Sequence, residues 1–254
     1  MPTPVIIAAA RRGDVDGIRR ALAAGASPNE RDGSGNGGTP LHCVCTYGGT
    51  YGSPARSPAG RYPEDAVRDW VACVRILLAA GADPNLRDSH DDTVLHDLVQ
   101  NDIAEDRGKK VEIASMLLAA GADVTAIGSC SCTPLHVAAA LSDADTVELL
   151  LRAKGASSVV NLGDNTEETP LVAAAGSRNR RVYPLLLRAG ADLPAQSDDP
   201  YLRAVIAAGG FEKYANQHLA AITALFVRTD RPRLPPEMVR HVFSYWLHAG
   251  YYVY

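Results

Sequence analysis

The chain has 254 residues, a formal net charge of −4, 46 % apolar and 21 % charged residues, which is ample for a continuous buried core and ordinary for a soluble protein. So mild a charge excludes a global field that gathers nucleic acid or anionic lipid. Five cysteines, at 43, 45, 73, 130 and 132, are too few and too unevenly spaced for a disulfide framework, which points to a reducing compartment.

From the start, Met1–Arg12 puts its apolar run before its basic pair, the reverse of a secretory signal. No apolar stretch reaches the roughly 18 residues a membrane helix needs. The expectation is a soluble, cytoplasmic protein, with the nucleus also open to it, and no membrane partner. Residues 201–254 hold six Lys/Arg against three Asp/Glu, leaving 19 against 26, or −7, on the first 200. Ten of the fifteen Phe, Trp and Tyr also follow residue 200, so two parts with different roles are expected.

Self-similarity organises residues 1–198. Thr-Pro-Leu-His stands at Thr39–His42 and Thr133–His136, Thr-Val-Leu-His at Thr93–His96, Thr-Pro-Leu-Val at Thr169–Val172, and Thr3-Pro4-Val5-Ile6 is a fainter copy. A Gly-Ala pair follows each, at Gly25, Gly81, Gly121, Gly155 and Gly190. Starts near 3, 39, 93, 133 and 169 give an uninterrupted period of about 36, with insertions of roughly 20 and 7 residues in the second and third copies. Each copy reads as a helix pair. Thr caps the first helix, Pro suits its first position, and alanines allow close neighbours. Val74, Leu77 and Leu78, or Val147, Leu150 and Leu151, give a second helix its apolar stripe, which Gly ends. Arg11, Arg12, Asp14, Asp16, Arg19 and Arg20 fit an exposed end cap on the first copy. Residues 47–66, rich in Gly, Pro and Ser, read as a mobile loop between two helices. A tolerated surface insertion is the plainer account, and a grip on a partner through Tyr47, Tyr51 and Tyr62 the alternative.

This motif, period and Gly-Ala ending resemble the ankyrin repeat over residues 3 to about 198. The resemblance implies an all-α solenoid of about five to six stacked helix pairs, with projecting hairpins and a concave face that takes a protein target. It assigns target contacts to the hairpin residues Arg31, Asp32, Arg87, Asp88 and His90. It also makes Asn29 and Asn85, which follow Gly-Ala-x-Pro and suit turn caps, candidates for asparagine hydroxylation.

Other constellations point away from chemistry. Cys43-x-Cys45 and Cys130-x-Cys132 lie near His42 and His136, but Cys43 and Cys45, i and i+2 on one helix, diverge, and the other pair precedes a helix cap two repeats away. Buried or partly buried small side chains are therefore the reading, with no metal. His42, His96 and His136 share one repeat position, where a ring can donate to a loop carbonyl and accept at its other nitrogen. The run Gly33–Gly38 lacks the Gly-Lys-Ser/Thr of a phosphate loop. Arg178, Arg180 and Arg181 lack aromatic neighbours for stacking bases, so no nucleic acid is expected. No cofactor and no enzyme activity are expected.

After Asp192 the period fades. Residues 199–210 read as a degenerate repeat or junction, and 211–254 as a helical or capping segment. Phe211–Val227 is a helix with Leu219, Ile222, Leu225 and Phe226 in its stripe. Pro235 and Pro236 then open another, with Met238, Val239, Val242, Phe243, Trp246 and Leu247 in one broad stripe. Periodicity alone makes this a cap on the last repeat. Leu234-Pro235-Pro236-Glu237-Met238 with Val242-Phe243-Ser244-Tyr245-Trp246 also resembles the opening of an F-box, and its position resembles the short F-box-like (PRANC-like) domains of large-virus ankyrin proteins. That resemblance implies that Leu234, Pro235, Pro236, Met238, Val239, Val242, Phe243, Trp246 and Leu247 bind a Skp-family adaptor of a cullin–RING (SCF-type) ubiquitin ligase, in a host cell if the source is viral. His218-Leu219, Thr223 and Val227 before Leu-Pro-Pro resemble a SOCS box less closely, and would imply elongin instead. The leading expectation is a substrate-recruiting ligase adaptor. The alternative is a scaffold or inhibitor whose C-terminal helices only cap the solenoid.

Overall fold

In a computed structural model of the protein, the residues described are 4–33, 37–50, 69–100, 107–141 and 144–227. The helices come in pairs: α1 (Val5–Arg12) and α2 (Val15–Ala23), α3 (Pro40–Thr50) and α4 (Trp70–Ala79), α5 (Val94–Gln100) and α6 (Arg107–Ala119). Then follow α7 (Pro134–Ala140) and α8 (Ala144–Arg152), α9 (Pro170–Gly176) and α10 (Tyr183–Arg188), α11 (Pro200–Ala207) and α12 (Phe211–Val227). Among the described residues there is no strand, only one antiparallel bridge between Arg87 and Thr93 that closes a hairpin loop.

The pairs stack in two layers. The first helices α1, α3, α5, α7 and α9 pack in series, and the second helices α2, α4, α6, α8 and α10 pack in series beside them. Leu41, Leu95, Leu135 and Leu171, the apolar residue of each Thr-x-Leu motif, are buried between neighbours, as are Val74, Leu77, Val147 and Leu150 from the second layer. Leu78 and Leu151 are only partly buried. Ala9, Ala10, Ala138, Ala139 and Ala174 are buried where a larger side chain would hold adjacent helices apart. No pair could bury its apolar face alone, so the core is continuous from Ile6 to Val205.

The recurring Gly-Ala pair terminates the second helices. Gly81 sits at φ 86°, a region closed to most side chains. The next amide, Ala82 N–H, bonds back to the Leu77 carbonyl at 3.0 Å, and Ala122 and Ala191 do the same to Leu117 and Leu186. Nothing crowds a Cβ at Gly81, so the backbone conformation alone demands glycine there.

Two expectations need correction. The first helix of the second pair runs to Thr50, past the residue where the insertion was expected to begin. A helix begun at Pro40 gains a bond with each further residue, enough to carry it through Gly48 and Gly49. Arg11 is no exposed cap residue: it pairs with the buried carboxylate of Asp32. Arg12, Asp16, Arg19 and Arg20 do stay exposed, while Asp14 caps α2 through the Gly17 N–H at 2.8 Å. Beyond the fifth pair, Asp199 caps α11 by accepting the Tyr201 N–H at 2.8 Å and is held by Arg180 Nε at 3.0 Å. Helix α12 spans the expected residues and packs on α11 and α10. Residues 51–66 of the insertion, Tyr51 and Tyr62 among them, and the whole Leu234–Leu247 stripe lie outside the described residues.

Candidate protein-binding surface

Three rows of polar side chains run between successive hairpins. The first is histidine. His42 Nδ1 accepts the Thr39 N–H at 3.1 Å, so its proton is on Nε2, which faces the Asp92 carbonyl at 3.3 Å. His96 repeats this with Thr93 and the Cys132 carbonyl, at 3.1 Å each. His136 repeats it with Thr133 at 3.1 Å and the Leu162 carbonyl at 2.9 Å. Burial lowers the pKa of all three rings, against the raising effect of those carbonyl bonds. The histidines are neutral clamps, as their shared repeat position suggests.

The second row is asparagine, and it differs from the expected local turn cap. Asn29 reaches the next repeat: its Nδ2 donates to the Gly81 carbonyl at 3.2 Å and its Oδ1 takes the Asp83 N–H at 2.8 Å. Asn85 does the same with Gly121 at 2.9 Å and Asp123 at 2.8 Å. Asn161 is a third member, bonded to Gly190 at 2.9 Å and Asp192 at 2.8 Å. Asn161 escaped the sequence reading because it stands six residues after its glycine rather than four. An asparagine one repeat upstream of each Gly-Ala-Asp was the available signal. At the remaining junction, Thr125 turns back onto its own Asp123 at 2.7 Å.

The third row is arginine. Arg31 Nη1 donates to the Arg87 carbonyl at 2.7 Å, and Arg87 Nη1 donates to the Ile127 carbonyl at 2.5 Å and the Asp91 carbonyl at 2.9 Å. Of the five hairpin residues assigned to a target, Asp32 and Asp88 are buried. Asp88 Oδ1 takes the N–H groups of His90 at 2.8 Å and Asp92 at 3.1 Å. Arg31 and Arg87 run along the row, and His90 is exposed.

Beyond Arg31, the exposed edge of the hairpins extends past those five residues. It comprises Ser89, His90 and Asp91, then Ile127 (46 % exposed), Cys130 and Ser131, and finally Asn165, Thr166, Glu167 and Glu168. Cys43 and Cys45 are buried, as expected, and so is Cys73, but Cys130 is exposed. Its place is a turn tip rather than a helix face, so nothing packs over it. Burial pushes the Cys43 thiol up to about 11 and the Cys73 thiol to about 12, and raises Cys45 too, so these are protonated core groups. On the first-helix layer, Asp97 is 7 % exposed and accepts the Thr46 hydroxyl at 2.9 Å. Burial, partly offset by that bond and reinforced by Asp88 and Asp92, pushes its carboxyl up to about 7.

At the far end, Tyr183, Tyr201, Tyr214 and His218 form a ring-to-ring series with centroids 5.8, 5.3 and 4.4 Å apart. Open clefts flank α12, one beside Ala204, Ala208 and Tyr214, the other beside Leu187, Leu193 and Phe211. Among the described residues no three His, Cys, Asp or Glu side chains converge on a point that would hold a metal ion. No helix among them is long and apolar enough to cross a membrane.

Family models agree with the repeat reading. A model of three ankyrin repeats matches residues 102–197, a model of many ankyrin repeats matches 6–51, and a single ankyrin repeat matches 36–89. No curated protein matches the chain.

Proposed function

Because the chain belongs to the ankyrin-repeat family, a family of protein-binding modules, we propose that it recruits a target protein to a ubiquitin ligase and contributes no chemistry of its own. The target docks along the exposed hairpin tips and the first-helix layer. Residues 234–247 engage the ligase through a Skp-family adaptor, with elongin the less favoured partner, in the cytoplasm. Such a protein acts by raising the local concentration of its target at the ligase.

The observation that carries the binding reading is the division of labour in the hairpins. Their asparagine, histidine and buried aspartate side chains fix the backbone, so the residues left at the tips are presented on a rigid frame. The ligase reading rests on the Leu234-Pro235-Pro236 opening and the apolar stripe behind it. A specific observation favours the second reading, a plain scaffold with a C-terminal cap. The clefts beside Ala208 and Phe211 border the last described helix and are lined largely by apolar side chains. Purification of the intact chain from cells, with mass spectrometry of what accompanies it, tests the proposal. Recovery of a Skp-family subunit with a target supports it, and a target without any ligase subunit favours the scaffold.

A further inference from the structure

We propose that Cys130 and Cys132 form a reversible dithiol–disulfide couple, a modification site at the hairpin tip between the α5/α6 and α7/α8 pairs. The site does not depend on the ligase or target assignment. Both thiols are free, Cys130 exposed and Cys132 half-buried, whereas Cys43, Cys45 and Cys73 are sealed in the core.

The backbone brings the two together. Cys132 N–H donates to the Ser129 carbonyl at 3.0 Å across a tight turn, in which Cys130 and Ser131 stand at φ 57° and 58°. Two successive left-handed residues coil the chain. In a helical turn, Cα atoms two residues apart are separated by about 5.5 Å, against about 6.6 Å in an extended chain. Disulfides form mostly at Cα separations of about 5.5–6 Å, so the coiled turn moves this pair from the edge of the permitted range to its centre.

Side chains other than glycine rarely enter that region of conformation, so the turn must be held from outside. Asn165 N–H donates to the Cys130 carbonyl at 3.0 Å, and Gly128 N–H to the Cys132 carbonyl at 2.8 Å. His96 Nε2 also meets the Cys132 carbonyl, at 3.1 Å. Ser129 donates its N–H and hydroxyl to the Asp92 carboxylate at 2.8 and 3.0 Å. Hairpins on both sides thus hold the coiled turn that carries the two thiols.

The oxidant is a small disulfide of the glutathione class. Cys130 gives its proton to solvent, and its Sγ attacks one sulfur of that disulfide. A mixed disulfide forms, the original S–S bond breaks, and one small thiol leaves carrying a proton. Cys132 Sγ, deprotonated in turn, attacks Cys130 Sγ and expels the second small thiol. Two protein thiols are oxidised by two electrons and one small disulfide is reduced to two thiols. Burial and the nearby Asp164 raise the Cys132 thiol's pKa, which leaves the first attack to the exposed Cys130 and the resolving step to Cys132.

The test equilibrates the full chain in oxidised or reduced glutathione, blocks remaining thiols by alkylation, and maps peptides by mass. The expected product is monomeric, two hydrogens lighter in the peptide holding Cys130 and Cys132, and restored by a reducing dithiol. Cys132→Ser, lacking the resolving thiol, should trap one glutathione on Cys130, with a thermal melt confirming that it folds. Full alkylation of both thiols after the oxidising treatment overturns the proposal. So do prior oxidation of Cys43, Cys45 or Cys73, crosslinked dimers alone, or a folded Cys132→Ser that carries no adduct.

Discussion

His96 Nε2 lies 3.1 Å from the carbonyl oxygen of Cys132, the residue just before the Thr133 that opens the next repeat. The other ring nitrogen takes the N–H and hydroxyl of Thr93, at 3.1 and 2.9 Å. One ring therefore serves the start of its own helix and the end of the following hairpin. His96→Phe fills the same space but strands the Thr93 N–H. The expected loss is about 1–3 kcal/mol, the penalty for a buried polar group left without its partner. Urea unfolding reads this as a lower midpoint with an unchanged slope. An unmoved midpoint would mean that the ring only fills space.

Stability should carry two opposed pH dependences. Asp97 has its pKa pushed up to about 7 by burial, above the roughly 3.9 of an unfolded chain. The folded protein keeps a proton that the unfolded chain releases, so Asp97's contribution is full below about pH 4 and is lost as pH rises to about 7. The three clamp histidines have lowered pKa values. Their contribution is full above the unfolded value of about 6.5 and is lost as pH falls through the lowered folded values. Asp97→Asn isolates the first effect. Relative to the wild type, the variant should gain more stability at pH 8 than at pH 5 in paired denaturant titrations. An equal difference at both pH values would refute the assignment.

Leu135 is 2 % exposed, in α7 between its neighbouring first helices α5 and α9. Leu135→Ala should destabilise by about 2–5 kcal/mol, because packed helices on both sides cannot collapse into the cavity. A thermal melt that does not shift would place Leu135 outside the inter-repeat core.

The C-terminal stripe is tested by Leu234→Ala combined with Phe243→Ala. If these residues dock on a separate adaptor, Tm stays nearly constant and Skp-family or elongin copurification is lost, since anchors of this size dominate such contacts. If they cap the solenoid, Tm falls by several degrees and the wild type yields no ligase subunit to lose. The second result would retire the ligase role and leave a capped scaffold.

The helix pairs were legible in the sequence because Thr-Pro openings and Gly-Ala endings act locally. Pro40, Pro134 and Pro170 each stand at the first helical residue, and Gly25, Gly81 and Gly121 all adopt positive φ. The hairpin edge was less legible, because its side chains act between repeats. Arg31 and Arg87 have the charge of partner contacts, yet their guanidinium groups bond backbone carbonyls of the next hairpin. Asn29 and Asn85 sit in turn-like sequences, but their amides are spent one repeat away. A periodic pattern shows which residues recur. It does not show whether a polar side chain faces solvent or the neighbouring copy, and that depends on the stacking distance.

The interruption at Thr125 and Ile127 bears on how the array comes apart. Every other hairpin from the first to the fifth repeat is laced to its successor by an asparagine, and the arginine row stops at Ile127 because that side chain cannot donate. The seam between the α5/α6 and α7/α8 pairs keeps the His96 clamp and the Asp92–Ser129 bonds but lacks the asparagine lacing. In a solenoid whose stability is a sum over adjacent interfaces, the weakest interface sets where unravelling begins. The protein should therefore fracture into an N-terminal and a C-terminal block at this seam. Amides on its two sides should exchange with solvent in separate groups, and a single shared exchange rate would show the array to be one cooperative body.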